Sequence, residues 1–100
     1  MYEIRQTAAF QKWLRRLPDR TVKARLIRRI ERLAHGHPGD TRFLGEGLHE
    51  LREHFGPGYR IYYTYQAGHL ILLLAGGDKN SQRADITRAR ALIERLETDR

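Results

Sequence analysis

The chain has 100 residues, 40% hydrophobic and 31% charged, which is the size and balance of one soluble domain with one modest core. Nineteen lysines and arginines against twelve acids give a net charge of +7, a field that attracts RNA, DNA or an acidic protein. The lack of cysteine excludes disulfides, thiolate catalysis and cysteine-based zinc sites.

In chain order, the first stretch, MYEIRQTAAF, has no apolar signal core and reads as a short strand ending at Thr7, a helix cap. Phe10, Trp13, Leu14 and Leu17 then recur at helical spacing, with Trp13 expected in the core. Pro18 and Asp19 interrupt, and Asp19 can cap a second helix whose apolar stripe is Val22, Leu26, Ile30 and Leu33. Arginines and a lysine fill the rest of that helix. The pattern predicts a helical hairpin over 7–17 and 19–34 with one dry side and one basic side.

HGHPGDT is a turn-rich linker, and its two histidines lack the further ligands a metal needs. RFLGEGLHELREHF is extended chain broken by glycines, and YRIYYTYQ is a strand by propensity. The run HLILLLAGG suits a central strand covered on both faces, and its apolar part is too short to span a bilayer. A last helix, capped by Asp78, Asn80 or Ser81, runs to about Glu97 with Ile86, Ala89, Ile93 and Leu96 on its buried side. Helices and strands come in runs rather than in alternation, so the class is α+β. One domain is expected: an N-terminal strand and helical hairpin packed on an antiparallel sheet of about four strands, with a C-terminal helix. No membrane is implied, and the cytoplasm is the expected location.

The candidate site is the hairpin LREHFGPGYRIYYTY. With Gly56-Pro57-Gly58 as its loop, His54 lies opposite Arg60 and Arg52 opposite Tyr62. One face then carries Glu50, Arg52, His54, Arg60, Tyr62 and Thr64, and the other, mostly apolar, meets the helices. Arginine offers a planar fork to phosphate, tyrosine a stacking ring or a hydroxyl, and histidine a mobile proton. Together they suit grip on an RNA backbone, with the means to cut it. GGDKNSQ adds Lys79 and the free N–H groups of a helix start, which favour an anion. The basic side of the second helix, with Arg28, Arg29 and Arg32, is a further RNA-contacting candidate together with Lys79. A non-catalytic module that binds RNA or an acidic protein through the same surface is the alternative. A DNA reader is disfavoured because no helix-turn-helix spacing is present.

The segments FQKWLRRLPDRTVKARLIRRIERLAHGHPGD and LHELREHFGPGYRIYYTYQAGHLILLLAGGDKNSQRADITRARALIERL resemble the killer protein family of addiction modules. That family belongs to the HigB-like and RelE-like toxins of type II toxin–antitoxin systems. The resemblance covers almost the whole chain and rests on ELR…FGPGYR combined with GGDK..Q..DI..A. It implies a RelE-like fold, cleavage of messenger RNA on the ribosome without metal or other cofactor, and a small helix-turn-helix antitoxin as partner. By position it implies catalytic roles for Arg60, Arg52 and Lys79. No tyrosine or histidine follows His69, so the hairpin offers His54 or Tyr62 for the proton work.

Overall fold

The computed structural model describes residues 1–98. Its elements are β1 (Glu3–Gln6), α1 (Ala8–Arg16), α2 (Arg20–Ala34), β2 (Thr41–Gly45), β3 (Leu48–Arg52), β4 (Arg60–Gln66), β5 (Leu70–Gly77) and α3 (Gln82–Thr98). The class is α+β, as expected.

Caps decide where the first two helices begin. Thr7 Oγ1 accepts from the Phe10 N–H at 3.0 Å and donates to Leu74 O at 2.7 Å, which ties the start of α1 to β5. Asp19 Oδ1 accepts from the Thr21 N–H at 2.8 Å and the Val22 N–H at 3.4 Å, so α2 starts at Arg20, directly after this cap. Arg15 and Arg16 sit in the last turn of α1 and Arg32 in that of α2, where the helix dipole favours cations.

The strands form one five-stranded sheet in the order β1-β5-β4-β3-β2. Strands β2 to β5 are the antiparallel meander that their short connections require. The expectation of about four strands is corrected to five: β1 joins as well, parallel to β5, with Ile4 beside Ile71. The helical hairpin and the meander together supply the long crossover that a parallel neighbour needs. Flanked by β1 and β4, β5 is central, which accounts for its continuous apolar run.

Two cores lie on the two faces. On one, Phe10 of α1 and Leu26 and Leu33 of α2 cluster with Leu51, Ile61, Tyr63, Ile71 and Leu73 of the sheet. On the other, Ala89 of α3 clusters with Leu48, Tyr62, Leu74 and Ala75 of the sheet. A bulge between Tyr62 and Tyr63 in the β4–β5 ladder sets Leu74 and Ala75 both toward α3. Trp13 is only half-buried, lying on Gly76, where a Cβ would come within 2.1 Å of Trp13 Cε3. No helix among the described residues is long and apolar enough to cross a membrane.

Candidate functional site

Within its strands the β3–β4 hairpin has the predicted alternation of faces but not the predicted register, and Glu53, His54, Phe55 and Tyr59 lie in the loop outside the paired strands. Arg52 pairs with Arg60, Leu51 with Ile61 and Glu50 with Tyr62, so the pairing is offset by two residues from the expected one. The loop is longer than Gly56-Pro57-Gly58. The Glu53 N–H donates to Tyr59 O at 2.9 Å, and inside that closure the Gly58 N–H donates to Phe55 O at 3.1 Å. An offset of two preserves which residues share a face, because side chains alternate with period two.

The face expected to be open is covered. α3 lies over it, so Glu50 and Tyr62 are inaccessible and Arg60 is only 4% exposed. Tyr62 therefore has no free ring face for a base, which corrects the stacking role expected of it. Burial, and then the Glu50 carboxylate beside it, push the Tyr62 phenol far above its ordinary range, so it stays neutral. Among the described residues neither its hydroxyl nor Glu50 Oε1 has a hydrogen-bond partner of good geometry, while Glu50 Oε2 accepts from Gln82 Nε2 at 2.7 Å.

Arg60 lies at the rim of this buried group. Its Nη1 donates to Glu53 O at 3.1 Å and Tyr59 O at 3.0 Å, and its Nε is buried without a partner. Among the described residues no carboxylate forms an ion pair with it. Gly58, at φ +78°, closes the loop over this guanidinium. A Cβ there would lie 3.4 Å from Lys79 Cβ and 3.5 Å from Arg60 Nη1. Lys79, on the β5–α3 turn, is thereby brought to the same loop, and its N–H reaches Pro57 O at 3.4 Å. So Arg60 and Lys79 converge, one covered and one exposed.

The open side of the hairpin centres on Asp40. Arg52 donates to Asp40 Oδ1 from Nε at 3.3 Å and from Nη2 at 3.2 Å. His54 Nε2 bonds Asp40 Oδ2, and the His54 side chain is 66% exposed. The His54 hydrogen bond, opposed next by the cost of burial and then helped by the Arg52 hydrogen bond and charge, holds the Asp40 carboxyl below its ordinary range. In a neutral imidazole that gives Nε2–H to Asp40, Nδ1 is the acceptor.

The remaining predicted residues divide. Arg28 and Arg32 are exposed. Arg29 is a bracket: Nη1 donates to Arg52 O at 2.8 Å and Glu53 Oε1 at 2.5 Å, and Nη2 to Pro38 O at 2.9 Å and Asp40 O at 3.1 Å. It fixes the backbone at Asp40 and Arg52 instead of facing solvent. In the turn before α3, Asp78 Oδ1 accepts the N–H groups of Asn80 at 2.8 Å and Ser81 at 3.1 Å, so those two are not free for an anion.

Asp40 is the residue that sequence reading missed. It falls in HGHPGDT, read as a linker. The signal was the Gly45-Glu46-Gly47 turn, which centres a β2–β3 hairpin pairing Thr41 with Leu51, and the Arg52 N–H continues that ladder to Asp40 O at 2.9 Å. Asp85 was also missed as a structural group. It is buried, accepts from Ser81 Oγ at 2.6 Å and Arg88 Nη2 at 2.5 Å, and fits only because Gly77 has no side chain.

A family model described as "Phage derived protein Gp49-like (DUF891)" matches residues 12–97, a span that includes Asp40, Arg52, His54, Arg60 and Lys79. The chain is also 42% identical over 94 residues to an uncharacterized protein of Haemophilus influenzae (strain ATCC 51907 / DSM 11121 / KW20 / Rd), covering 94% of this chain and 95% of that one.

Proposed function

Since the chain belongs to the phage-derived Gp49-like family, we propose that it is the toxin of a type II toxin–antitoxin pair, RelE-like in fold and HigB-like in kind. It acts in the cytoplasm as a metal-independent endoribonuclease on messenger RNA held by the ribosome. Its partner is a small helix-turn-helix antitoxin. The family is compatible with a toxin role, and the net charge of +7 favours a polyanionic substrate.

The observation that carries the reading is the Asp40 carboxylate holding both Arg52 and His54 at the open end of the hairpin. An imidazole fixed by a carboxylate at one nitrogen can take a proton at the other. His54 accepts the proton of an RNA 2′-hydroxyl. The 2′-oxygen then bonds to the adjacent phosphorus, the bond from phosphorus to the 5′-oxygen breaks, that oxygen takes a proton from water, and the hydroxide left takes the proton held by His54. The products are a 2′,3′-cyclic phosphate and a 5′-hydroxyl end. Arg52 and Lys79 stabilise the charge that builds on phosphorus oxygens, and the unneutralised Arg60 adds its field from behind the loop. Arg28 and Arg32 contact the RNA backbone farther off.

The test is induction in growing cells with mapping of transcript 5′-hydroxyl ends. New ends and growth arrest are expected from the natural chain and neither from His54→Ala or Arg52→Ala. Intact transcripts with unaffected growth overturn the reading. Burial of Arg60 and Tyr62 favours a second one, in which the chain binds ribosome-held RNA without cutting it. Purified protein that binds programmed ribosomes and leaves no new ends selects that alternative.

A further inference from the structure

α1 and α3 leave a groove between them. The Thr7 N–H bonds Leu73 O at 3.1 Å and Thr7 Oγ1 bonds Leu74 O, so α1 departs over the edge of β5 where β1 stops. α3 packs on the face of the sheet opposite to α1 and α2. A cavity of about 690 Å³ and one of about 280 Å³ adjoin there through Ala9 and Arg88, which line both. The floor is apolar, with Trp13, Leu17, Ala75 and Leu92. The charged side chains of the lining are cations, Lys12 and Arg16 from α1 and Arg88 and Arg95 from α3, of which Arg88 is already paired with the buried Asp85 carboxylate.

We infer that this groove receives an acidic amphipathic helix of a partner protein. Lys12 and Arg16 stand one turn apart on one wall, and Arg88 and Arg95 two turns apart on the other, about 10 Å along the axis. A helix laid between them sets an apolar stripe on Trp13, Leu17 and Leu92 and carboxylates on both shoulders. RNA fits less well. The Trp13 ring lies against Gly76, with the Phe10 and Tyr59 rings at 5.7 and 6.5 Å, so it is no free stacking platform, and the floor has no polar group to read a base. A second copy of this chain fits less well too, because its own helices are basic.

The inference rests on the toxin reading only for the biological identity of the partner. None of the lining residues belongs to the Asp40 cluster, so the two fail separately. The test uses the full chain and Trp13, the single tryptophan, as reporter. The probe is a synthetic helical peptide of roughly sixteen residues with leucines at helical spacing and glutamates on both flanks. Three competitors are compared with it: a scrambled peptide of the same composition, a version with lysine for glutamate, and an oligoribonucleotide of equal charge. Saturable change in Trp13 emission is expected with the acidic amphipathic peptide alone. Lys12→Glu with Arg16→Glu, both exposed and so compatible with folding, is expected to weaken binding by roughly tenfold or more and to admit the lysine peptide. The same double variant is expected to retain transcript cleavage. Equal binding of the scrambled peptide overturns the inference, as does a silent Trp13. A stronger emission change with the oligoribonucleotide overturns it in favour of a nucleic-acid surface.

Discussion

Arg52 and Arg60 stand directly opposite each other in the β3–β4 ladder and take different partners. Arg52 goes to the Asp40 carboxylate and Arg60 to the carbonyls of Glu53 and Tyr59. Like charges at facing positions disfavour pairing by about 0.2–1 kcal/mol, and the two sets of partners offset that cost by drawing the guanidinium groups to separate anchors.

Asp40→Asn follows from this arrangement. The substitution keeps the shape and removes the charge that orients His54 and Arg52. Transcript cleavage is expected to fall by at least roughly tenfold, measured as new 5′ ends per messenger. Stability at neutral pH is expected to change by less than about 1 kcal/mol, as for other exposed ion pairs. The folded Asp40 carboxyl lies below its unfolded value of 3.8, so its stabilisation is complete above that pH and is lost as pH falls through the lower folded value. Urea titration of both chains down the acid range checks the sign: the asparagine variant lacks this part of the acid loss.

Tyr62→Phe separates burial from chemistry. The hydroxyl is buried and unpartnered, so its removal is expected to leave stability unchanged or raise it by up to about 1 kcal/mol, with cleavage retained. Loss of cleavage with a stable fold contradicts the structural role given to this residue. The phenol is raised in the folded chain, so its contribution is full below about pH 10 and is lost as pH rises beyond that value, where the unfolded chain ionises first. The phenylalanine variant is expected to show a shallower loss of stability in alkali.

The helices were legible because their information is local. Thr7, Asp19 and the 3–4 spacing of Phe10, Trp13, Leu17, Val22, Leu26, Ile30 and Leu33 fall within a residue of the observed bounds. The two hairpin faces were legible for the same reason, since alternation survives any even offset. What covers each face was not. Nothing near Tyr62 in sequence says that α3, beginning at Gln82, folds across it, so a face rich in cations and hydroxyls read as an open site. Likewise the clamp on Arg52 comes from Asp40, a contact set by the β2–β3 ladder and not by spacing.

Ala67→Gly tests a local conflict between residue and backbone. Ala67 has φ +52° in the turn after β4, a left-handed conformation that costs a residue with a Cβ about 1 kcal/mol. Asparagine tolerates it better than alanine, and glycine carries no such cost but loses more freedom on folding. Ala67→Asn is therefore expected to raise stability by about 0.5–1 kcal/mol and Ala67→Gly by no more than that. Equilibrium unfolding in urea at constant m-value measures it.

Gly76→Ala tests the close approach of Trp13. A Cβ there would meet Trp13 Cε3 at 2.1 Å and Cδ2 at 2.4 Å, so the indole must move. Overpacking of this kind costs about 1–3 kcal/mol. Because Trp13 also lines the α1–α3 groove, its emission is expected to shift in the folded variant, along with a lower midpoint of unfolding. An unchanged midpoint with unchanged emission contradicts the packing.

His49 supplies a pH dependence in the range where few other side chains titrate. It is stacked on Tyr63 at 5.2 Å between ring centres and lies 5.0 Å from Phe43, with Tyr65 edge-on at 5.1 Å. Burial among these rings pushes its pKa below the ordinary 6.5. The unfolded chain therefore binds the proton first, so stability falls as pH drops below 6.5 and levels off once the folded imidazole is also charged. His49→Phe keeps an aromatic ring in the row and removes the titration. Its unfolding free energy is expected to be flatter than that of the natural chain between about pH 7 and pH 5. Parallel curves over that interval would mean that the imidazole titrates as freely in the folded chain as in the unfolded one, and that the aromatic row does not exclude water from it.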